Sequence, residues 1–223
     1  MKIKFLNLLM FSIFSISQAQ TSKNVGDFNK VTAFDKIEVV LVKASENKIV
    51  LEGNKKNEVE LVNKNGELKI RMNIENTMQG EDVFVTVYYK KIDAIEANEG
   101  SKIETSETIQ ANSFSIIAKE GGRIKIGLNT QKLKVKGNSG AVIQCKGKAK
   151  NQEVTLTAGA QYEADELVTQ QTTITVNAGG DADVYATELV EAKVRAGGEI
   201  TIYGHPKEIN QKTIAGGTIN EAK

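Results

Sequence analysis

Five residues near the C-terminal end have types and spacings that could do chemistry. Asp181 and Asp183 stand two apart, so on a strand both carboxylates point to the same side. With Glu199 and Glu163 on nearby coils they could form an acidic column. Such a column could hold calcium through oxygen ligands or supply the carboxylate cluster that glycoside chemistry needs. A solvated face is the ordinary alternative, because Lys102, Arg123 and Lys125 fill equivalent positions upstream and no GGxGxD calcium repeat occurs. Tyr185 and Tyr203 each follow a repeat glycine by six residues and are expected to face outward as a small platform, with plain sheet packing as the alternative. Tyr185, Tyr203, Asp181, Asp183 and Glu199 are therefore the surface candidates for binding. No catalytic, cofactor-binding or metal-ligating residue is assigned, and no cofactor is expected.

The rest of the catalytic inventory is thin. His205 is the single histidine and lies in Tyr203-Gly204-His205-Pro206, a turn leaving a strand, with no Ser or Cys partner in sequence. Cys145 is the single cysteine, so it forms no intramolecular disulfide, and it falls on an apolar column that reads as buried. One histidine and one cysteine exclude the usual zinc sets. Gly-Gly pairs recur, but phosphate-cradling loops need a helix after the loop, and no helical spacing follows any of them.

The elements that must position these residues form a repeat. From Lys91 onward, glycines at Gly100, Gly121, Gly140, Gly159, Gly179, Gly197 and Gly216 recur at about 20 residues, the mark of a solenoid whose corners tolerate small insertions. Three residues after each glycine stand Ile103, Ile124, Ile143, Tyr162, Ala182, Ile200 and Ile219, and five after stand Thr105, Ile126, Cys145, Ala164, Val184 and Ile202. The residues between them are polar. Ile95, Ile116, Val135, Val154, Ile174 and Ala192 form a third apolar column before the glycines. Alternation of this kind predicts wall strands that stack like on like around one narrow core. Glycine suits a sharp corner with positive φ. The alanine before it in the last four coils predicts a position too tight for a larger side chain.

Before the repeat, residues 31–90 alternate as short strands. Phe34–Lys43 and Lys48–Glu52 flank a polar turn, and Glu58–Asn63 and Glu67–Asn73 flank Lys64-Asn65-Gly66, a strong hairpin signal. The fold class is all-β: a parallel solenoid entered through an N-terminal antiparallel hairpin sheet. One domain is expected over 31–219, with 31–90 as the hairpin sheet, 91–219 as repeat coils and 20–30 as a linker or disordered arm.

Residues 1–19 carry a targeting pattern. Lys2 and Lys4 precede an apolar stretch to Ile16, and Ser17-Gln18-Ala19 supplies small residues where a signal peptidase cuts, so cleavage is expected after Ala19. The apolar stretch is too short to span a bilayer. No cysteine follows it, which excludes an N-terminal lipid anchor, and no second long apolar run appears. Without Lys2 and Lys4 the 29 bases become 27 against 28 acids. Lysine and glutamate read as alternating rather than clustered, which argues against nucleic acid and anionic membrane as partners.

The chain resembles the family of putative auto-transporter adhesin head GIN domain proteins found in Bacteroidetes. The likeness rests on Phe34-Asp35-Lys36-Ile37-Glu38-Val39, on Lys48-Ile49-Val50-Leu51-Glu52-Gly53-Asn54 and on Asn65-Gly66-Glu67-Leu68-Lys69-Ile70. It continues through Val83–Tyr89, Ile92–Gly100 and the Ala-Gly-Gly coils to Ile219. The resemblance implies a right-handed β-helix-like solenoid, an exported location and no assigned activity, and it brings no catalytic residues. The chain ends four residues after Ile219, so no translocating barrel or sorting domain is expected on it. The expectation is a non-catalytic cell-envelope protein, periplasmic, outer-membrane-associated or extracellular, that offers a solenoid wall to a glycan or protein partner. Self-association through an exposed wall or solenoid end is open to it. A carbohydrate-active β-helix enzyme and a purely structural periplasmic protein are the alternatives.

Overall fold

The computed structural model describes residues 21–222. The signal segment expected over 1–19 lies outside the described residues. The N-terminal part supplies β1 (Thr21–Lys23), β2 (Lys30–Ala33), β3 (Glu38–Lys43), β4 (Lys48–Gly53), β5 (Val59–Lys64), β6 (Glu67–Met72), β7 (Val83–Tyr89) and β8 (Ala94–Ala97). The repeat supplies β9 (Lys102–Ala118), β10 (Arg123–Gly137), β11 (Val142–Thr157), β12 (Gln161–Asn177), β13 (Asp181–Arg195), β14 (Glu199–Tyr203), β15 (Glu208–Ile214) and β16 (Thr218–Glu221). Two 3-10 turns, Lys56–Glu58 and Ile74–Asn76, complete the described elements, and no helix among them is long and apolar enough to cross a membrane.

From β9 to β13 each strand pairs in parallel with the next, and Ile124 meets Ile143 while Ile143 meets Tyr162, a step of 19 residues each time. Parallel pairing at that offset is a solenoid of about seven turns. Two of the three apolar columns stack without interruption, as the spacing predicts. Ile103, Ile124, Ile143, Tyr162, Ala182, Ile200 and Ile219 are successive register partners, as are Ile95, Ile116, Val135, Val154, Ile174 and Ala192. Most of these side chains are fully buried, so each coil covers the core of the one beneath it. Thr105 departs from its column: a register shift between Lys125 and Gly127 leaves it half-buried.

Alternation breaks twice inside each coil, and the breaks make the corners. In β10, Ile126, Gly127 and Leu128 are buried in succession, whereas Gln131 and Lys132 are exposed in succession. A coil thus has a first wall (123–126), a second wall (127–131) and a third wall (132–137), closed by the glycine turn. At that turn two consecutive residues take positive φ, as in Glu120 at +53° and Gly121 at +73°. Gly121 has open space around its missing Cβ, so backbone conformation alone calls for glycine there. The position expected to be tight is not. Ala158, Ala178, Ala196 and Ala215 are exposed, because the first residue of the turn points to solvent, and Glu99 and Glu120 occupy the same place in earlier coils. The tight site is the residue after the glycine. A Cβ on Gly122 would lie 2.2 Å from the Ala97 carbonyl oxygen of the coil below.

The N-terminal sheet is mixed. The Asn65-Gly66 hairpin joins β5 and β6 antiparallel, and β4 lies antiparallel to β7. But β3 pairs in parallel with β7 and β9, and β2 pairs in parallel with β6 and β8, so these strands continue the solenoid walls. The expected strand Phe34–Lys43 begins only at Glu38, because Asp35 and Lys36 turn with positive φ. Asp35 is buried, and its carboxylate accepts from the backbone N–H groups of Met72 and Met78, which ties that turn to the hairpin. The arm expected as a linker over 20–30 is also corrected. β1 pairs with β4 along Lys23 and Ile49, and Phe28 is buried in the core.

Candidate functional site

The first wall carries two outward rows. One runs Glu38, Lys102, Arg123, Val142, Gln161, Asp181, Glu199, Thr218, and the other runs Val40, Glu104, Lys125, Gln144, Glu163, Asp183, Thr201, Asn220, each residue pairing with the next. Strand alternation puts Asp181 and Asp183 on the same outer face, while Ala182 between them is buried. Asp181 is thereby beside Glu199, and Asp183 is beside Glu163 and Thr201. The Glu199 carboxylate accepts a 2.9 Å hydrogen bond from Asn220. Partial burial pushes the Asp183 carboxyl above its usual range against a hydrogen bond from Thr201, and the charges of Asp165, Glu163 and Glu199 push the same way. These carboxylates line up along a wall rather than around a point. Among the described residues no group of three or more His, Cys, Asp or Glu converges on a metal position.

Tyr185 and Tyr203 are direct register partners on β13 and β14, and both are half-exposed on the outer surface. Gly204 lies under the Tyr185 ring, since a Cβ there would come within 2.5 Å of Cε1. The ring therefore covers bare backbone, and the pair with the exposed Val168, which registers with Tyr185, makes a short apolar strip on the second wall. Tyr203 also sits in the field of Asp183 and Asp165, which pushes its phenol up.

A groove of about 700 Å³ opens at the corner between the first and second walls. Val40 bounds one end. Glu104, Lys125, Gln144 and Glu163 form one side, Ser106, Lys146, Asp165 and Glu166 the other, and Ile126 and Cys145 the floor. Gln144 donates to Glu163 at 2.6 Å, and Lys102 pairs with Glu104 at 3.0 Å. Such a trough offers carboxylates, ammonium groups and amides to the hydroxyls of a polar chain. It offers no activated nucleophile: burial pushes the Cys145 thiol up to about 12. Sequence reasoning missed this groove. Its trace in sequence is the broken alternation Ile126-Gly127-Leu128, which marks a corner. Asp181, Asp183, Glu199, Tyr185 and Tyr203 do not line it, although Asp183 registers with Glu163 on its side. His205, two residues beyond Tyr203, does not line the groove either; it is exposed, and its Nδ1 lies 3.0 Å from Glu221.

Similar solved structures share this solenoid. A putative adhesin from Bacteroides fragilis matches with a TM-score of 0.85 at 19% identity, covering 93% of this chain and 98% of its own. A putative adhesin from Parabacteroides merdae gives a TM-score of 0.69 at 16% identity, covering 92% of this chain and 96% of its own. A protein described as a putative lipid binding protein from Parabacteroides distasonis gives 0.66 at 14% identity, covering 92% of this chain and 96% of its own. No curated protein matches the sequence. The sequence pattern of one family matches residues 27–206, and the chain belongs to that family, described as putative auto-transporter adhesin, head GIN domain.

Proposed function

We propose that this protein is an exported, non-catalytic binding module of the cell envelope that presents its solenoid wall to a glycan or protein partner. The observation that carries the reading is the long open groove beside a tyrosine pair, built on a rigid stack of parallel coils and lacking an activated nucleophile. Rigid strands hold outward side chains at fixed spacing, which suits recognition of an extended chain. Export rests on the signal pattern at 1–19. Protease shaving of intact producing cells carrying a C-terminal tag tests the location. Loss of the tag while a periplasmic control survives supports an outward-facing adhesin-like module. Protection until the outer membrane is opened removes the adhesin role and directs the search to periplasmic partners.

A second reading is a carbohydrate-active enzyme. Its motive is Asp183, whose carboxyl is pushed up first by partial burial and then by the charges of Asp165, Glu163 and Glu199, on the row it shares with Glu163. Polysaccharide turnover abolished by Asp183→Asn would replace the binding reading with this one.

A further inference from the structure

Charge is sorted along the solenoid. From Arg123 to Lys150 the chain holds eight bases (Arg123, Lys125, Lys132, Lys134, Lys136, Lys146, Lys148 and Lys150) and no acid. From Glu153 to Glu191 it holds eight acids (Glu153, Glu163, Asp165, Glu166, Asp181, Asp183, Glu188 and Glu191) and no base. The expected alternation of lysine and glutamate thus fails over these coils, and the near-zero net charge conceals it.

Six of the bases form one continuous ribbon. Lys146, Lys148 and Lys150 alternate along β11 and are all exposed, and Lys132, Lys134 and Lys136 do the same along β10. Alternate residues on a strand are about 7 Å apart, and neighbouring strands about 4.8 Å. Thr130 registers with Ala149 and Lys132 with Asn151, so Lys150 reaches the corner where the second lysine triplet begins. The ribbon runs along the second wall and turns onto the third.

The ladder is arranged so that these lysines do not oppose one another. Lys148 registers with Asn129 and Val168, Lys132 with Ser113 and Asn151, and Lys136 with Ile117 and Thr155. Direct opposition of like charges would destabilise the sheet, and neutral neighbours avoid it. The same neutral flanks leave the field unquenched. Among the described residues only Lys134 of the six has a carboxylate partner, Glu153 at 3.2 Å. The ribbon holds no arginine and no aromatic ring, whereas single-stranded nucleic acid is held by stacking on aromatic side chains. Its flanks are mostly Ser, Asn and Thr, with Val168 and Ile117 as isolated apolar residues and no continuous apolar face of the kind that enters a membrane interface. The acids that follow along the axis are divided: Glu163, Asp165, Glu166, Asp181 and Asp183 lie on the first wall or its corner, and Glu153 and Glu191 continue the row of Lys134 on the third wall.

We infer that the Lys146–Lys148–Lys150 and Lys132–Lys134–Lys136 ribbon is a docking surface for a linear anionic polysaccharide, its repeated carboxylate or sulfate groups meeting ammonium groups at strand spacing. This inference rests on the binding-module reading and names the class of glycan.

The test is calorimetric titration of the purified protein with polygalacturonate, dextran sulfate and neutral dextran. Binding to one or both anionic polymers is expected, with polygalacturonate and dextran sulfate separating carboxylate from sulfate preference. It should weaken steeply between about 50 and 200 mM salt, as counterion release requires. Changing Lys146, Lys148 and Lys150 together to Gln should weaken it about tenfold or more and flatten its salt dependence, because fewer counterions are released. Changing Lys64, Lys193 and Lys212 to Gln should leave it in place. All these positions are exposed or half-exposed, and an unchanged circular-dichroism melt verifies the fold of each variant. Binding of anionic polymers that survives loss of the ribbon lysines overturns the inference. So does stronger binding of single-stranded DNA than of either polymer, or a salt-sensitive dimer in place of polymer binding. Binding confined to neutral glycans and lost with the tyrosines overturns it while leaving the binding-module reading intact.

Discussion

Two adjacent glycines should respond to the same substitution for different reasons. Gly121 takes φ +73° in open space, and Gly122 has ordinary φ but no room. Gly121→Ala therefore costs only the backbone strain of an L-residue in the left-handed region, about 1 kcal/mol. In a chain of this size that lowers Tm by about 2–4 °C. In Gly122→Ala the new Cβ would meet the Ala97 carbonyl oxygen at 2.2 Å, its carbon at 2.6 Å and the Lys119 oxygen at 2.9 Å. That Ala97 oxygen already accepts the Lys119 N–H at 2.9 Å, so relieving the clash opens the ladder between two coils. Backbone cannot rotate away as a side chain can, which puts the cost at about 3 kcal/mol or more, and the fall in Tm at about 6 °C or more. Thermal melts followed by circular dichroism read both. Equal shifts, or a larger one for Gly121→Ala, would refute the division of the turn into a conformational site and a steric one.

Further outcomes follow from the buried polar groups. Tyr162 donates to Gln152 at 2.9 Å, Gln152 donates to Thr172, and the Thr169 and Thr172 hydroxyls meet at 2.8 Å, all within the core. Tyr162→Phe leaves the Gln152 oxygen without its donor and should cost about 1–3 kcal/mol by urea denaturation, whereas a neutral result would mean the network is not closed. Burial pushes the Glu96 carboxyl up, but hydrogen bonds and charge from Lys30 and Lys119 outweigh it and hold it below its ordinary 4.5; Glu67 is held down likewise by Thr32, Lys30 and Lys69. A carboxyl depressed on folding stabilises above its unfolded value and loses that contribution as pH falls through its folded one. Stability should drop below about pH 4.5, and Glu96→Gln should flatten that limb; an unchanged acid profile would argue against the Lys30–Glu96–Lys119 cluster as its source. The Cys145 thiol, buried and pushed up to about 12, should resist iodoacetamide at neutral pH in the folded protein and react once unfolded, and rapid labelling of folded protein would contradict its place in the core.

The repeat was legible because its signals are local. Each coil restates glycine, then apolar residues three and five further on, and stacking follows from the period. The N-terminal sheet was legible only where a turn is self-contained, as at Asn65-Gly66. Val31 pairing with both Leu68 and Ile95 joins strands far apart in sequence and leaves no spacing to read. Phe28 falls in a stretch that reads as a linker because one buried aromatic in a polar arm has no period. The alanines before the turn glycines read as tight positions because composition cannot say which of two neighbouring residues points inward. The groove depends on corners, and corners appear only as lapses in alternation. The lysine ribbon was present in the sequence throughout, but averaging charge over the whole chain cancels it against the acids that follow.

The most direct test of the central claim is to incubate the purified protein with polysaccharides from a producing envelope, separate bound from free, and size the chains in both fractions. A non-catalytic binding module retains chains of unchanged length, and loses them when the side chains that hold them are removed: Tyr185 and Tyr203, or the ribbon lysines. Shortened chains, appearing with time and absent with Asp183→Asn, would contradict it and make this solenoid an enzyme.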